Sequence, residues 1–440
     1  MRALGTARGA KLHDMWRDRA AVNVVLARFI SRTGGESAFF VGIWGKAAFE
    51  LDATAGQLAA LIAATGISGL IGSPLGGVLI DRYDPRKVLI AGELVFVPVA
   101  LGFLLVTTIP QIIVAAFLLG LVGSPIYTAL ASMPPYLTDD PDHLARINAG
   151  VETAGMAALI SGTSIGALLV RFVSVDAIFV FDAITSVVAV GLVLVTHLRR
   201  EVKSSRGRSG LTELREGLRY SYSNAHLRFY ILAGTSIWLL FGLFGALEPL
   251  FFRDVLGTGV EAIGWVNSIF GIGLVLGTAT ATRLPHSIRG ATGLLILIML
   301  NGLGANLYIG FANLVTVTIG GFLWGLVIGW FAPIFRTLVH LNSPDHMIGR
   351  ITATTQMHGQ SASLLPLVMA PWLASVLGVQ TTMMSAGAIV TFGALLFVGR
   401  ARRFDRTRQV EVVPHMGDTD AVVRAPGLHP VDPGLRRVLE

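Results

Sequence analysis

The chain has 440 residues, of which 53% are hydrophobic and only 14% are charged, and it carries a formal net charge of +7. Soluble domains contain about 25% charged residues, and the core of a soluble protein cannot bury this much apolar surface. The composition therefore excludes an ordinary soluble protein and predicts a protein embedded in a bilayer. Cysteine is absent, which also excludes disulfide bonds and thiol chemistry.

The amino-terminal segment 1–20 is polar and basic. It lacks the short apolar core and the cleavage site of a signal peptide, so we expect it to stay in the cytoplasm. The first apolar segment, about 21–45, is the least apolar of all because it contains Arg28, Arg32 and Glu36.

Further long apolar segments follow as far as residue 399. A helix needs about 20 apolar residues to cross a hydrocarbon layer of about 30 Å. The segments are 57–80, 88–109, 111–138, 147–170, 177–198, 229–252, 262–282, 291–335 (long enough for two helices), 351–377 and 379–399. Together with the first segment they predict an all-α membrane protein with twelve transmembrane helices.

Basic residues recur at every second connection between these segments. They are Arg82, Arg86, Lys87, Arg146, Arg283, Arg289 and Arg350, with further clusters in 199–228 and 400–408. Cytoplasmic loops of membrane proteins carry such an excess of basic residues, which places both termini in the cytoplasm. The net positive charge is therefore explained by topology, and no nucleic-acid partner is expected.

The chain divides into two halves. Segment 199–228 is polar and basic, and its Leu211, Leu214 and Leu218 recur at helical spacing, which predicts an amphipathic linker on the inner leaflet. It separates a first six-helix half, 21–198, from a second, 229–400. After that, segment 401–440 is polar and contains prolines, so we expect a disordered cytoplasmic tail.

Two short matches relate the halves. Segment 125–130, PIYTAL, is similar to segment 333–338, PIFRTL, and a few residues later PDHLARI at 141–147 is similar to PDHMIGRI at 344–351. Both pairs are offset by about half of the chain, as expected for two pseudo-symmetric six-helix repeats.

The connection after the second segment carries a motif, GGVLIDRYDPRK at 76–87. It resembles the cytoplasmic signature loop of the major facilitator superfamily, which implies that family's fold and alternating access, with Gly77, Asp81 and Arg82 as part of a cytoplasmic latch. Arg86 and Lys87 either belong to the latch as well or serve only to fix the topology of the chain. The motif departs from the family pattern at Asp84 and Pro85.

The latch is expected to include further charged residues near the cytoplasmic face. Glu93 and Glu152 would pair with arginines of the motif or with Arg146, and Arg350 is the equivalent residue of the second half. The segments RIN at 146–148, FDA at 181–183 and GRI at 349–351 resemble the bacterial exporter branch that includes enterobactin and macrolide efflux proteins.

Ionisable residues inside the apolar segments are candidates for proton coupling, since burying a charge there costs about 2.5–3.5 kcal/mol on insertion scales. Glu36 lies near the middle of the first segment and can carry a proton between the two sides, although Arg32, four residues earlier, can also simply neutralise it. Asp182 is the second candidate, with hydrogen bonding to Ser161 or Thr163 as the structural alternative.

A central cavity is expected to bind substrate. Arg28, Arg32 and Arg336 would hold an anionic group, and His358 either titrates near neutral pH or packs as a hydrogen-bonded residue. Glu248 precedes a proline near the outer end of the seventh helix and is expected to be solvated.

The favoured function is proton-driven efflux of an amphipathic small molecule, such as a drug, a siderophore or a lipid-like compound, by a monomer in the inner membrane. The alternatives are a facilitator or importer of a small anionic metabolite and a non-transporting membrane sensor or scaffold. The sequence contains no GxxxxGK[ST] loop and no HExxH or GxSxG motif, so we expect no enzyme, cofactor or metal site.

Overall fold

The computed structural model describes residues 18–196, 210–344 and 347–411. Six long helices form the first half of the molecule, which we call the N-half. They are α1 (Arg19–Ser37), α2 (Ala55–Arg82), α3 (Pro85–Gly102), α4 (Ile109–Ser132), α5 (Pro141–Phe172) and α6 (Asp176–Leu194).

The second half, which we call the C-half, follows a connecting helix, α7 (Gly210–Ser223). Its first membrane segment is interrupted and consists of two helices. The helices are α8 (Ala225–Thr235), α9 (Trp238–Leu250), α10 (Val260–Thr280), α11 (Ala291–Ile309), α12 (Leu314–Leu341), α13 (Ile348–Leu377) and α14 (Val379–Glu411).

Eleven segments of the described chain are long and apolar enough to cross a membrane, with α8 and α9 forming one of them. Helix α1 is the twelfth, and its charged residues lower its hydropathy below that of the others. The prediction of an all-α membrane protein with twelve helices is therefore confirmed.

Both halves pack their helices in the same pairs. In the N-half α2 packs on α4, α1 on α5, and α3 on both α4 and α6. In the C-half the equivalent pairs are α10 with α12, α9 with α13, and α11 with both α12 and α14. In addition, the first membrane segment of each half ends in π-helical turns, at Ala38–Ile43 and Gly45–Glu50 and at Phe251–Val255. The pairing reproduces the predicted two-fold repeat.

Glycines allow the helices of each pair to approach closely. A Cβ atom at Gly277 on α10 would lie 2.9 Å from the Cα of Gly329 on α12, and one at Gly76 on α2 would lie 2.9 Å from the Cα of Pro125 on α4. In a membrane the hydrophobic effect does not drive helices together, and such small residues permit the close van der Waals packing that does.

The helix at the carboxyl end is longer than predicted. Helix α14 continues to Glu411, eleven residues beyond the predicted boundary at residue 400. Asp405 accepts hydrogen bonds from the backbone N–H groups of Ala291 (2.7 Å) and Thr292 (2.9 Å), which caps α11 and anchors this last part of α14. Segments 197–209 and 412–440, which contain much of the predicted linker and tail, lie outside the described residues.

One end of the bundle carries the beginning of α1, the end of α14 and the arginine-rich connections, and we call it the basic end. The two halves contact each other at the opposite end, where Arg253 Nη1 of the C-half donates to the carbonyl oxygen of Ala48 at 2.6 Å. Halfway along the bundle, Thr163 Oγ1 of α5 lies 2.7 Å from Ser268 Oγ of α10. These contacts describe a state that is closed at the end opposite the termini.

Candidate substrate cavity

A cavity of about 470 Å³ lies between α1, α2, α3 and α4, and we call it the N-half cavity. Its wall combines charged, hydroxyl and aromatic side chains. They are Arg28, Ser31, Arg32, Glu36, Phe39, Phe40, Ser73, Glu93, Phe96, Ser124 and Tyr127, with small and aliphatic residues between them. A pocket of this size that is mostly apolar with a few polar groups is typical of small-molecule sites.

Glu36 forms the centre of the charged wall. Its side chain is only 6% exposed, and Oε1 makes a direct ion pair with Arg32 Nε, one helical turn earlier. Arg32 is 44% exposed, so one partner of the pair is accessible from the cavity while the other is buried. On the α5 side, a Cβ atom at Gly162 would lie 2.9 Å from Glu36 Cβ, so α5 closes tightly behind the carboxylate.

Arg28 lies one turn further towards the basic end. Its guanidinium carbon is 4.6 Å from the ring centre of Tyr127, a cation–π arrangement that the sequence analysis did not predict. The buried Nε of Arg28 has no hydrogen-bond partner within the described chain. Arg28 lines the N-half cavity, and its Nε is a buried, unsatisfied donor in the described state.

Glu93 was predicted to belong to the latch, and in the described state it lies in the N-half cavity instead. Its carboxylate lines the N-half cavity, where Oε1 accepts a hydrogen bond of 2.7 Å from Ser31. Only 2% of the residue is exposed. Glu93 is about two turns inside α3, roughly 12 Å from the end of that helix, and at this depth it faces α1 instead of the arginines of the connection.

Glu152 was also predicted to pair with arginines near the basic end. It is exposed on α5, within electrostatic reach of the Arg28 guanidinium. Arg146 instead lies near the helix cap at Asp140, with 3.8 Å between Nη2 and Oδ2.

Asp182 does not line the cavity, and it does not meet the hydroxyls of α5 that were proposed as partners. It is 1% exposed and packs against α1, where a Cβ atom at Gly34 would lie 2.6 Å from its Oδ1. Neither carboxylate oxygen has a hydrogen-bond partner among the described residues. Thr163 and Ser161 bond to Ser268 and Thr33 instead.

Arg336 and His358 were the remaining cavity candidates, and both lie away from the residues that form the N-half cavity. Arg336 is exposed on α12. His358 Nε2 lies 2.5 Å from the hydroxyl of Tyr222 on α7, and Nδ1 lies 2.8 Å from the carbonyl oxygen of Thr354. His358 thus connects α13 to the end of the linker helix.

Two arginines predicted to form the latch have other hydrogen-bond partners in this state. Arg86 Nε donates to the carbonyl oxygen of Val193 at the end of α6 (3.0 Å), where a cation complements the helix dipole. Arg350 Nη1 donates to Glu216 of α7 at 2.6 Å.

Three other residues of the motif have open surroundings. Arg82 and Lys87 are exposed, and a Cβ atom at Gly77 would meet nothing within 4 Å. The side chain of Asp81 lies outside the described part of the structure. The latch stays a prediction for the state in which the basic end is closed.

Glu248 was expected to be solvated, and this was wrong. It is buried in the C-half, where its Oε1 accepts a hydrogen bond of 2.5 Å from the hydroxyl of Tyr308 on α11. The ring of Trp324 packs on Tyr308 with centroids 5.6 Å apart, so the carboxylate lies beside an aromatic cluster. In the described residues, no group of three or more His, Asp and Glu side chains is arranged to hold a metal ion.

Comparisons with known proteins agree with this architecture. The family model described as Major Facilitator Superfamily matches residues 24–365. The enterobactin exporter EntS of Salmonella typhimurium is 24% identical over 405 residues, which cover 88% of this chain and 94% of that protein. The multidrug efflux pump Tap of Mycobacterium tuberculosis is 23% identical, covering 83% and 89%, and the MFS-type transporter YfiS of Bacillus subtilis is 20% identical, covering 88% and 94%.

Solved structures show the same fold. The nucleoside transporter NupG superposes with a TM-score of 0.70 at 12% identity, covering 86% of this chain and 98% of that one. A D-xylose–proton symporter superposes with a TM-score of 0.63 at 16% identity, covering 87% and 97%.

Proposed function

The chain belongs to the major facilitator superfamily and is a membrane transporter rather than an enzyme, and from this premise we propose that it exports an amphipathic small molecule in exchange for protons. The observation that carries the proposal is the N-half cavity, in which the Arg32–Glu36 ion pair adjoins aromatic side chains. The similarity to exporters named for enterobactin and for multiple drugs supports the direction and the substrate class.

The coupling step follows from the geometry of the ion pair. Proton binding to Glu36 neutralises its carboxylate and releases Arg32, which then offers its donors to the cavity. Loss of the proton restores the pair and withdraws those donors. Because Glu36 is buried and Arg32 is accessible, one proton changes the polarity of the wall that contacts substrate.

The aromatic part of the wall suits the apolar part of an amphipathic substrate. Phe39, Phe40 and Phe96 line the cavity together with the hydroxyls of Ser73 and Ser124. Rings provide large apolar contact, while hydroxyls bond polar groups of many shapes. Such a wall accepts a class of molecules more readily than one rigid metabolite.

The direction of transport depends on the orientation of the bundle. Under the positive-inside rule the basic end faces the cytoplasm, and the described state, closed at the opposite end, receives substrate from inside the cell. Rocking of the halves about the central contact between Thr163 and Ser268 opens the other side, and Asp81 with Arg82 closes the basic end. We place the protein in the cell membrane with both termini inside, acting as a monomer.

A second candidate function is transport of a small anion, favoured by the two cationic side chains in the wall of the N-half cavity. Arg28 and Arg32 both line the cavity, as this alternative requires, whereas Arg336 lies outside it. An anion facilitator would lose flux on replacement of Arg28 by Gln and would show no dependence on the proton gradient.

Replacement of Glu36 by Gln tests the proposal in proteoliposomes. Gln keeps the size and the hydrogen-bonding head but cannot exchange a proton, so uphill efflux driven by a proton gradient is lost while downhill movement of substrate continues. Glu50→Gln is the matched control, because Glu50 is 43% exposed at the end of the same membrane segment and lies 3.6 Å from Lys46.

Two outcomes of this experiment would contradict the coupling role. If Glu36→Gln pumps normally, coupling lies elsewhere, and Glu93 of the same cavity is the next candidate. If the variant fails to fold and Arg32→Gln in the same chain restores folding, Glu36 serves only to neutralise Arg32.

A further inference from the structure

A second cavity, of about 330 Å³, opens on the membrane-facing surface of the C-half between α8, α9, α11 and α14. We call it the C-half groove. Its lining is almost entirely apolar, and several of these side chains are strongly exposed, including Leu232 (51%), Ile389 (64%) and Phe397 (51%). Exposed apolar side chains of a membrane helix contact lipid, so this groove is open to the acyl-chain region of the bilayer.

Two arginines stand at one end of the groove. Arg228 lies at the beginning of α8 and Arg400 about two thirds of the way along α14, and both belong to the lining of the groove. Arg228 Nη1 donates to the carbonyl oxygen of Tyr222 at 2.8 Å, and the guanidinium carbon of Arg400 lies 6.0 Å from the ring centre of Phe404. Within the described chain neither arginine has a carboxylate partner, so both positive charges are available to an anion.

The dimensions of the groove match one leaflet of a bilayer. The lining of the groove has the same length on both walls. It extends from Arg228 to Leu239 along α8 and α9 and from Ile389 to Arg400 along α14, which is about 16 Å in each case at the rise of a helix. This is about half of the 30 Å hydrocarbon thickness. On both walls the arginine is at the basic end and the apolar lining extends towards the bilayer centre.

Phe404 closes the groove behind the arginines. Its ring packs on Phe229 of α8 with centroids 5.1 Å apart and on His226 at 4.6 Å. This contact joins α8 to α14 and fixes the distance between the two cationic side chains. The groove is thus a slot with a closed, cationic end at the level of lipid headgroups.

We propose that the C-half groove binds an anionic phospholipid of the leaflet at the basic end, with its phosphate between Arg228 and Arg400 and one acyl chain along the groove. The bilayer surrounds the protein and supplies this ligand at high local concentration. Basic pockets between transmembrane helices on the cytoplasmic side bind anionic headgroups by the same combination of charge and apolar contact. The lipid joins α8 to α14, and so fixes the first and last membrane segments of the C-half to each other.

The test uses purified full-length protein, delipidated and then supplied with dioleoyl phosphatidylglycerol or dioleoyl phosphatidylcholine. Thermal unfolding reports stabilisation, and native mass spectrometry counts the lipids retained. We expect phosphatidylglycerol to raise Tm and to remain bound, and phosphatidylcholine to do neither. In the Arg228→Gln/Arg400→Gln variant the apparent affinity for phosphatidylglycerol falls by roughly thirtyfold, since each arginine contributes about a factor of five to six.

A glycine variant tests the acyl-chain part of the site. A Cβ atom at Gly393 meets nothing within 4 Å, so Gly393→Leu fills the groove without a clash and displaces the lipid chain. The matched control is Gly399→Leu on the same helix, which also has open space but does not line the groove.

Several results would overturn the proposal. They are equal stabilisation by phosphatidylcholine, protection by inorganic phosphate alone, and retention of phosphatidylglycerol by the double arginine variant or by Gly393→Leu. The measurements need no transport substrate, so they succeed or fail independently of the proposed efflux.

Discussion

The loop residues Asp84 and Pro85, which depart from the family motif, form the N-terminal end of α3. Asp84 Oδ1 accepts a hydrogen bond of 2.8 Å from the N–H of Arg86, and Pro85 occupies the first helical position, where its missing N–H costs nothing. The turn that a glycine provides in the family pattern is therefore replaced by a side-chain cap.

Replacing Asp84 by Ala should lower the stability of the protein by about 1 kcal/mol, because the first turn of α3 loses its acceptor. Thermal unfolding in detergent measures the change. Asp84→Asn keeps an acceptor and should unfold close to the wild type, and equal loss in both variants would contradict the capping role.

Asp182 provides a second test at the scale of single residues. Its carboxylate is buried beside Gly34 and within electrostatic reach of Glu93, and it has no hydrogen-bond partner in the described chain. Since the side chain lies outside the N-half cavity, Asp182→Asn should leave proton-driven flux within about twofold of the wild type. It should not lower Tm, because Asn removes a costly buried ionisable group. Loss of the proton dependence of flux in this variant would show that Asp182 takes part in proton coupling.

The sequence predicted the candidate site only where spacing along one helix decides the contact. Arg32 and Glu36 are four residues apart, so their pairing follows from helix geometry. The surroundings of Glu93 and Asp182 are formed by other helices. The rotation of each helix about its axis is set by packing, which hydropathy does not encode. Tyr127 was missed for the same reason.

At the scale of helices, the close approach of α10 and α12 depends on glycines. A Cβ atom at Gly277 would clash with the carbonyl oxygen of Leu326 and lie 2.9 Å from the Cα of Gly329. Gly277→Leu should therefore destabilise the C-half by about 1–3 kcal/mol or more, since the backbones must separate. Thermal unfolding compares it with Gly399→Leu, which has open space. Equal melting of both variants would contradict the packing account.

Helix positions were largely predictable and their interruptions were not. Apolar length located every membrane segment, because a helix must match the bilayer thickness, but it did not predict the end of α14. The π-helical turns at Ala38–Ile43 lie inside apolar sequence, and those at Phe251–Val255 begin with two phenylalanines that continue the apolar segment. The break between α8 and α9 lies inside the predicted segment 229–252. Hydropathy contains no information on backbone dihedral angles there.

At the scale of the whole molecule, Arg253 connects the halves at the closed end. Its Nη1 donates to the carbonyl oxygen of Ala48, and its Nε pairs with Asp254 at 2.7 Å. Arg253→Gln should weaken closure at this end and increase the population of the state that is open there. The sequence could predict two halves from their repeats, but the state depends on contacts between them.

Spin labels can measure that population, since the chain has no native cysteine. Val173 (68% exposed) and Phe311 (59% exposed) lie at this end of the two halves and accept labels through Val173→Cys and Phe311→Cys. The Arg253→Gln background should shift the distance distribution to longer values, whereas an Arg171→Gln background should not. An unchanged distribution would contradict the role of Arg253.

The most direct test of proton-coupled export measures substrate flux and proton flux together. Proteoliposomes containing a pH indicator are given a gradient of an amphipathic compound from a transport screen, with no initial pH difference. We predict that substrate movement drives protons in the opposite direction and that an imposed pH gradient drives substrate uphill. In Glu36→Gln both effects should be lost, while downhill flux of substrate continues. Substrate flux without proton movement, at a rate independent of the pH gradient, would contradict the account and identify a facilitator.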